Sequence, residues 1–180
     1  MSRAKFRALV HYIVAKSEPA RLGAIRLNKI LFYVDALTYR STGKSLTGET
    51  YIKRQHGPVS KSAQKILGDL EHDNAIVIGS FDRFGKQMRG YIPRADPDLS
   101  VFEPHELRLI ESVREHICSA HTAMSISELS HDHVWEAANI GEPIPMAATL
   151  ASGAGEITKD VKKWAESAFK RYEAINKAAA

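Results

Sequence analysis

His131, Asp132 and His133 are the residues whose types most directly suggest chemistry, because imidazole and carboxylate groups bind zinc or iron. Consecutive residues at the start of a helix point in different directions, and no third ligand follows at a spacing typical of a metal site. Asp132 is instead suited to cap the N-terminus of a short helix. The sequence therefore predicts no metal site and no cofactor.

A second group of polar residues surrounds the Gly57-Pro58 turn, where Arg40, Tyr51 and His56 have the chemistry to bind an anion at a helix N-terminus. The chain has no glycine-rich phosphate loop, no nucleophile elbow and no carboxylate pair that spacing brings together, so we expect no enzymatic activity. The turn is either a packed corner or a rigid surface that presents aromatic and basic side chains to a protein, and we predict the second. The candidate partner-binding residues are Arg40, Tyr51, Lys53, Arg54, His56, Gly57 and Pro58.

An alternative interpretation is a winged-helix DNA-binding domain, in which a recognition helix precedes a β-hairpin with basic residues at its tip. The helix predicted over residues 58–73 and the hairpin that follows it fit this order. Asp69, Glu71 and Asp73 at the far end of the helix would repel phosphate, so we rank DNA binding second. The candidate nucleic-acid contacts are Lys61, Gln64, Lys65, Arg83, Lys86 and Arg89.

Apolar residues at steps of three and four predict the helices that position these groups. The clearest stripe lies in a helix predicted over residues 26–40, which Gly43 ends. Other helices are predicted over residues 4–16, over residues 58–73 with Gly57-Pro58 opening it, and from Pro104 to residue 119. The stripe of the second helix consists of Leu27, Ile30, Leu31, Val34 and Leu37.

Extended and short elements complete the predicted architecture. Residues 75–80 and 87–92 read as two strands of an antiparallel hairpin, and Ser125 followed by Glu128 fits a capping box that starts a short helix. A final helix places Ile157, Val161, Trp164, Ala168, Tyr172 and Ile175 on one face. The predicted fold is a mainly α-helical α+β domain over residues 1–150 with a winged-helix-like hairpin, followed by a C-terminal helical extension over residues 151–180.

Composition restricts the class of protein. The chain has 180 residues and a formal net charge of +4, but residues 1–100 carry 17 Lys and Arg against 9 Asp and Glu, whereas residues 101–180 carry 8 against 12. A basic first part favours an acidic partner or a phosphate backbone, whereas the acidic second part would repel nucleic acid, and an ordinary solvated surface gives the same count. Cys118 is the only cysteine and suits a small core position. The N-terminus does not resemble a signal peptide and no segment has the length of a membrane span, so we expect a cytoplasmic protein.

Two blocks of this sequence resemble the Panacea domain, the SocA-like antitoxin family of bacteria and phages. The first runs from Leu27 to Val59, and the second runs from Trp135 to Ile144. The similarity as a whole extends over roughly residues 5–148, although many family members carry a DNA-binding domain in front of this module. The residues that match the family pattern are Leu27, Lys29, Leu31, Tyr33, Asp35, Gly43, Gly48, Trp135, Gly141 and Ile144.

This resemblance implies a protein that binds and neutralises a toxic protein encoded beside it. At least one family member is thought to deliver its partner to the ClpXP protease, so a protease is a second partner that the resemblance implies. The matching residues are expected to be structural, while the Gly57-Pro58 corner is expected to contact the toxin. The resemblance leaves the identity of that toxin and the oligomeric state open.

Overall fold

Six α-helices, a 3₁₀ helix and five strands run through residues 3–83 and 85–151, which are the residues that the computed structural model describes. The helices are α1 (Arg3–Lys16), α2 (Pro19–Thr42), α3 (Ala63–His72), α4 (Pro104–Ala120), α5 (Ala123–Leu129), α6 (His133–Ala137) and the 3₁₀ helix Met146–Leu150. The strands are β1 (Tyr51–Arg54), β2 (Gly57–Ser60), β3 (Ile76–Arg83), β4 (Lys86–Pro93) and β5 (Pro143–Ile144). The predicted class, a mainly helical α+β fold, is confirmed.

Helix α2 is the central element, because α1, α4, α5, β2, β4 and the 3₁₀ helix all pack against it. Its predicted stripe is buried except at Leu37, which is 38% exposed. The element begins at Pro19 and not at Arg26 as predicted, but Gly23 takes the non-helical φ 55° and ψ 167°, so a short first segment bends there into the long helix. Gly43 ends the helix in the left-handed conformation, as predicted.

The strands form two antiparallel sheets. One has the order β2-β1-β5 and pairs Tyr51 with Ser60 on one side and with Ile144 on the other. The second is the hairpin of β3 and β4, which confirms the hairpin predicted over residues 75–92. The three-stranded sheet brings the two family-like blocks of the sequence into direct contact, since β5 belongs to the second block and β1 and β2 to the first.

The prediction that Gly57-Pro58 opens a helix is wrong. These residues start the edge strand β2, and α3 begins at Ala63. Proline at a first helical position and proline in an edge strand both leave no amide hydrogen unpaired, so the residue type alone does not separate the two cases. Pairing of Pro58 with Lys53 across the sheet decides the outcome.

The helices of the second half follow the predicted order with one corrected cap. Helix α4 begins at Pro104 as expected, and Asp132 caps α6 by accepting from the Trp135 amide at 2.9 Å. The predicted capping box at Ser125 lies about one turn too late: Thr122 is the N-cap of α5 and accepts from the Ser125 amide at 3.0 Å. Serine and threonine suit either position, so the helix starts where its apolar face meets α2.

The predicted C-terminal helix over residues 157–175 and the joint before it lie outside the described residues. The side chains of Arg83 and Lys86 at the tip of the β3–β4 hairpin are also outside the described part of the chain. Among the described helices, none combines the length and the apolar character needed to cross a bilayer.

Candidate partner-binding site

Lys29 holds the β1–β2 hairpin against α2. Its side chain is 1% exposed, and its Nζ donates to the Pro58 carbonyl oxygen at 3.1 Å. Gly57 lies directly against this ammonium group at φ 95°, and a Cβ there would overlap both Lys29 Nζ and Ser130 Oγ. Only glycine fits a site that combines positive φ with so close an approach. The first residue of β2 is thus clamped between α2 and the end of α5.

Burial lowers the pKa of Lys29 to about 7. Among the described residues, no carboxylate forms an ion pair with it, so removal from water is not offset by an opposite charge. A lysine with this environment carries its proton only part of the time near neutral pH. The hydrogen bond to Pro58 is available from both the charged and the neutral amine.

Replacing Lys29 with methionine is expected to remove a pH dependence of stability. The pKa of about 7 in the folded protein lies below the ordinary 10.5, so the unfolded chain binds more protons between these values. The free energy of unfolding of the wild type therefore rises with pH across that window, by at most about 1.4 kcal/mol per pH unit. Urea denaturation from about pH 7 to about pH 9 should show a growing advantage of the wild type over Lys29→Met. The same change at exposed Lys44 is the control, and a pH-independent difference for Lys29→Met would contradict the assignment.

Asp35 fixes the other end of the hairpin. Its carboxylate is fully buried and accepts from the Thr47 amide at 2.8 Å, from Thr47 Oγ1 at 2.5 Å and from the Tyr51 hydroxyl at 2.8 Å. Burial raises the pKa of Asp35 although all three donors favour the charged form, and it raises the pKa of Tyr51 well above its ordinary value. Asp35 therefore ties the loop after α2 to the first residue of β1.

Trp135 and its neighbours cover the outer side of β1. The indole Nε1 donates to the Arg54 carbonyl at 3.2 Å, the Lys53 ammonium lies 4.0 Å from the ring centroid, and the His131 ring stacks on the indole at 3.8 Å. Lys53 Nζ also donates to the Ala138 carbonyl at 2.9 Å. These contacts fasten the segment around α6 to the same hairpin that Lys29 holds from below.

The other residues of the family pattern have structural positions. Leu27, Leu31 and Ile144 are buried in the core, and Tyr33 is half-buried with its ring edge-on to Phe32 at 5.6 Å. Gly48 and Gly141 have φ of 72° and 90°, values that suit glycine. This arrangement agrees with the expectation that the pattern maintains the fold.

The structure changes the predicted contact surface. Tyr51 is fully buried and Lys53 is 9% exposed, so the prediction that the corner presents them to a partner is wrong. Gly57 and Pro58 are buried as well. The side chains of Tyr51 and Lys53 lie on the same face of β1, because side chains alternate between the two faces of a strand. That face is buried. The buried residues position the corner and do not themselves offer contact area.

Arg54, His56 and Arg40 are exposed, but they do not form one cluster. Arg40 lies in the last turn of α2, three turns beyond Lys29, which places it about 16 Å along the helix from the hairpin. Arg54 and His56 flank the hairpin tip. The prediction that Arg40 and His56 converge is therefore wrong, and the two exposed residues of the tip remain as candidates.

A groove of about 780 Å³ lies between α2, the hairpin tip and the segment after α6. Its walls are mostly apolar, and its basic side chains are Lys29, Arg54 and His56. Ile140 stands at its edge and is 62% exposed. We define this as the hairpin groove, lined by Ala24, Ile25, Asn28, Lys29, Arg54, Gln55, His56, Val59, Gln64, Trp135 and Ile140.

Sequence reasoning did not identify Ile25, Val59 or Ile140 as site residues. Ile140 belongs to the turn after Trp135, where an apolar residue between Asn139 and Gly141 has no core position to fill, and this was the available signal. Ile25 and Val59 resemble ordinary core residues in the sequence. Their meeting depends on the pairing of β1 with β2.

The residues predicted to contact DNA are divided between different surfaces. Gln64 lines the hairpin groove, whereas Arg89 lines a separate cavity beside Gly23. Lys65 Nζ pairs with Asp69 at 3.3 Å on the same face of α3. Lys61 is exposed just before that helix. DNA binding stays a prediction, and the described contacts of Lys65 reduce the charge that α3 offers to phosphate.

Comparison with known proteins agrees with this geometry. The family model described as antitoxin SocA-like, Panacea domain, matches residues 27–136, from the first stripe residue of α2 to the residue after Trp135. No curated protein and no solved structure shows a significant match. The match covers more than half of the chain and includes Lys29, Asp35 and the hairpin that they hold. The chain therefore belongs to the antitoxin SocA-like, Panacea-domain family, and this membership supports a role in a toxin–antitoxin system.

Proposed function

We propose that this protein neutralises a cognate protein toxin by direct contact through the hairpin groove. The observation that carries the proposal is that the residues of the family pattern hold a preformed groove in place. Lys29 and Asp35 fix the β1–β2 hairpin from α2, and Trp135 fixes it from the other side. A surface that is ordered before association loses little conformational entropy on binding.

The composition of the groove also suits a protein partner. Exposed Ile140 and half-buried Ile25 and Trp135 supply apolar area, while Arg54 and His56 supply a polar rim. Protein interfaces have this organisation, with aromatic and arginine side chains enriched among the residues that contribute most to affinity. No chemistry of the antitoxin itself is required, because covering the toxin is sufficient to block it.

The interaction has two possible consequences for the toxin, and they are distinguished by its lifetime. We propose occlusion, in which the toxin accumulates in a complex with this protein. Delivery to a ClpXP-type protease would instead remove the toxin in cells that contain the protease and leave it intact in cells that lack it. Measuring the toxin level in both strains separates the two mechanisms.

Replacing Ile140 with serine is expected to weaken toxin binding by about tenfold, since an exposed apolar side chain at the groove edge would lose its contact area. The probe is the product of the adjoining reading frame, co-expressed with this protein and then titrated in purified form. Met124, which is 68% exposed on α5, supplies the matched control, and Met124→Ser should bind like the wild type.

Growth provides the test of the whole proposal. The neighbour's product should be harmful when expressed alone, and co-expression of the wild-type chain should restore growth. A harmless neighbour that does not bind this protein would contradict the proposal. If the chain also bound duplex DNA with a steep dependence on salt, the winged-helix alternative would replace it.

A further inference from the structure

We propose that the hairpin groove binds an acidic segment of the toxin, in which a carboxylate lies beside a bulky apolar side chain. This inference rests on the proposed function and names the chemistry of the partner. The carboxylate pairs with Arg54 and His56 at the hairpin tip, and the apolar side chain packs between Ile25, Trp135 and Ile140.

The ionisable side chains that line the groove are all basic. Lys29, Arg54 and His56 all line it, and none of its lining residues is an Asp or Glu. Lys53 lies immediately behind, over the Trp135 ring. A concave surface with several basic groups and apolar walls attracts an anion more strongly than a flat surface does.

The pKa of His131 is affected by these positive charges. Burial, followed by the positive charges of Lys29, His56 and Lys53, lowers the pKa of its imidazole, and only Glu128 acts in the opposite direction. Its Nε2 is buried and has no hydrogen-bond partner in the structure. Glu128 is exposed, so solvent screens its charge.

Lys29 adds a buried amine that is partly protonated near neutral pH. It is 1% exposed and donates to a backbone carbonyl, with no carboxylate paired to it among the described residues. A carboxylate bound at the hairpin tip would stabilise the protonated form of this lysine through the low-dielectric interior. An acidic partner would thus increase the protonated fraction of this lysine.

The groove suits an acidic protein segment better than a nucleic acid. Nucleic-acid grooves that bind single strands offer an aromatic face on which bases stack, but the Trp135 ring already carries His131 at 3.8 Å and the Lys53 ammonium. Of the remaining walls, Ala24, Ile25, Val59 and Ile140 offer no hydrogen bond to a phosphate chain, and Asn28, Gln55 and Gln64 supply only uncharged amides. An apolar anchor next to one or two carboxylates matches both features.

The test reverses the charge of the hairpin tip in the full-length protein. The double variant Arg54→Glu with His56→Glu changes exposed side chains, so it should melt at the same temperature as the wild type. Its affinity for the purified product of the adjoining reading frame should fall at least about tenfold, mainly through a slower association rate constant. The matched control is Arg108→Glu with His105→Glu, two exposed residues of α4 with the same change in charge, which should bind within about threefold of the wild type.

Four outcomes are separable. If the wild type does not bind the neighbour's product, the proposed function fails before the charge of the groove is at issue. If the wild type binds and both double variants bind equally well, the proposed function stands and the acidic-segment inference is overturned. If the groove variant alone loses affinity, and lysine replacements of acidic residues in the toxin restore binding to it, the inference is supported. Competition of duplex DNA with the toxin for the wild type, but not for the groove variant, would assign the groove to nucleic acid and overturn it as well.

Discussion

Replacing Gly57 with alanine is expected to lower the free energy of unfolding by about 3 kcal/mol and to abolish toxin neutralisation. The added Cβ would overlap Lys29 Nζ and Ser130 Oγ, and φ at this position is 95°, a conformation that alanine rarely adopts. Relief of the overlap requires Lys29 Nζ and Ser130 Oγ to shift or the hairpin to move away from α2. That movement breaks the bond from Lys29 to the Pro58 carbonyl and leaves a buried amine without a partner.

The control for this change is Gly141→Ala. Gly141 has a similar φ of 90°, but a Cβ there meets nothing within 4 Å, so it reports the cost of backbone strain alone. We expect about 1 kcal/mol at that position. Chemical denaturation of both variants gives the difference that is due to overlap, and equal losses would contradict the proposed clamp. In a double-mutant cycle, Ser130→Ala should recover part of the stability lost in Gly57→Ala, because it removes one of the two overlapping groups.

The effect on function follows from the position of the hairpin tip. Arg54 and His56 line the groove only while β1 and β2 lie against α2. Arg54 pairs with Gly57, and His56 lies in the turn between these two residues. A displaced hairpin keeps these residues exposed but separates them from Ile25 of α2 on the opposite wall. Loss of growth rescue by Gly57→Ala at a temperature where the variant is still folded would therefore locate the functional surface at the groove.

Local pattern was sufficient to predict most of the described helices, although not the start of α3. The stripe of α2, its end at Gly43 and the start of α4 at Pro104 all depend on residues within a few positions of each other. The hairpin of β3 and β4 is equally local, since Arg83 pairs with Lys86 across its turn. Elements of this kind are specified by periodicity and capping, which a single sequence displays directly.

The site was harder to predict because it depends on contacts between distant residues. The burial of Lys29 follows from its contact with Pro58, and the burial of Tyr51 follows from pairing with Ile144 and bonding to Asp35. A lysine in a helix ordinarily lies on its exposed face, and a tyrosine after a turn-rich segment is ordinarily at least partly exposed. Resemblance to the family indicated that Lys29 and Asp35 are structural but not which segments they contact. The structure shows that both contact the β1–β2 hairpin.

Replacing Asp35 with alanine is expected to lower the free energy of unfolding by about 3 kcal/mol or more, because three donors lose their common acceptor inside the core. The Thr47 amide cannot turn away, while the hydroxyls of Thr47 and Tyr51 can only rotate within a packed site. Asp98 is the matched control: it also accepts from a backbone amide and a hydroxyl, both of Ser100, but at the surface. Asp98→Ala should cost less than about 1 kcal/mol, and equal losses in the two variants would show that burial of the Asp35 site contributes nothing.

The conservative changes at the same site should follow a defined order. Asp35→Asn retains one oxygen for the Thr47 amide and offers an amino group that the two hydroxyls can accept from, so it should lose less stability than Asp35→Ala. Tyr51→Phe removes one donor and leaves the carboxylate two others, so it should lose least, about 1 kcal/mol. Because burial raises the pKa of Asp35 above 3.8, the folded state binds a proton that the unfolded chain releases, and this part of the stability decreases as pH rises through that window. Asp35→Asn lacks it, so the deficit of Asp35→Asn relative to the wild type should be largest in acid and should shrink toward neutral pH, in denaturation curves measured across that range.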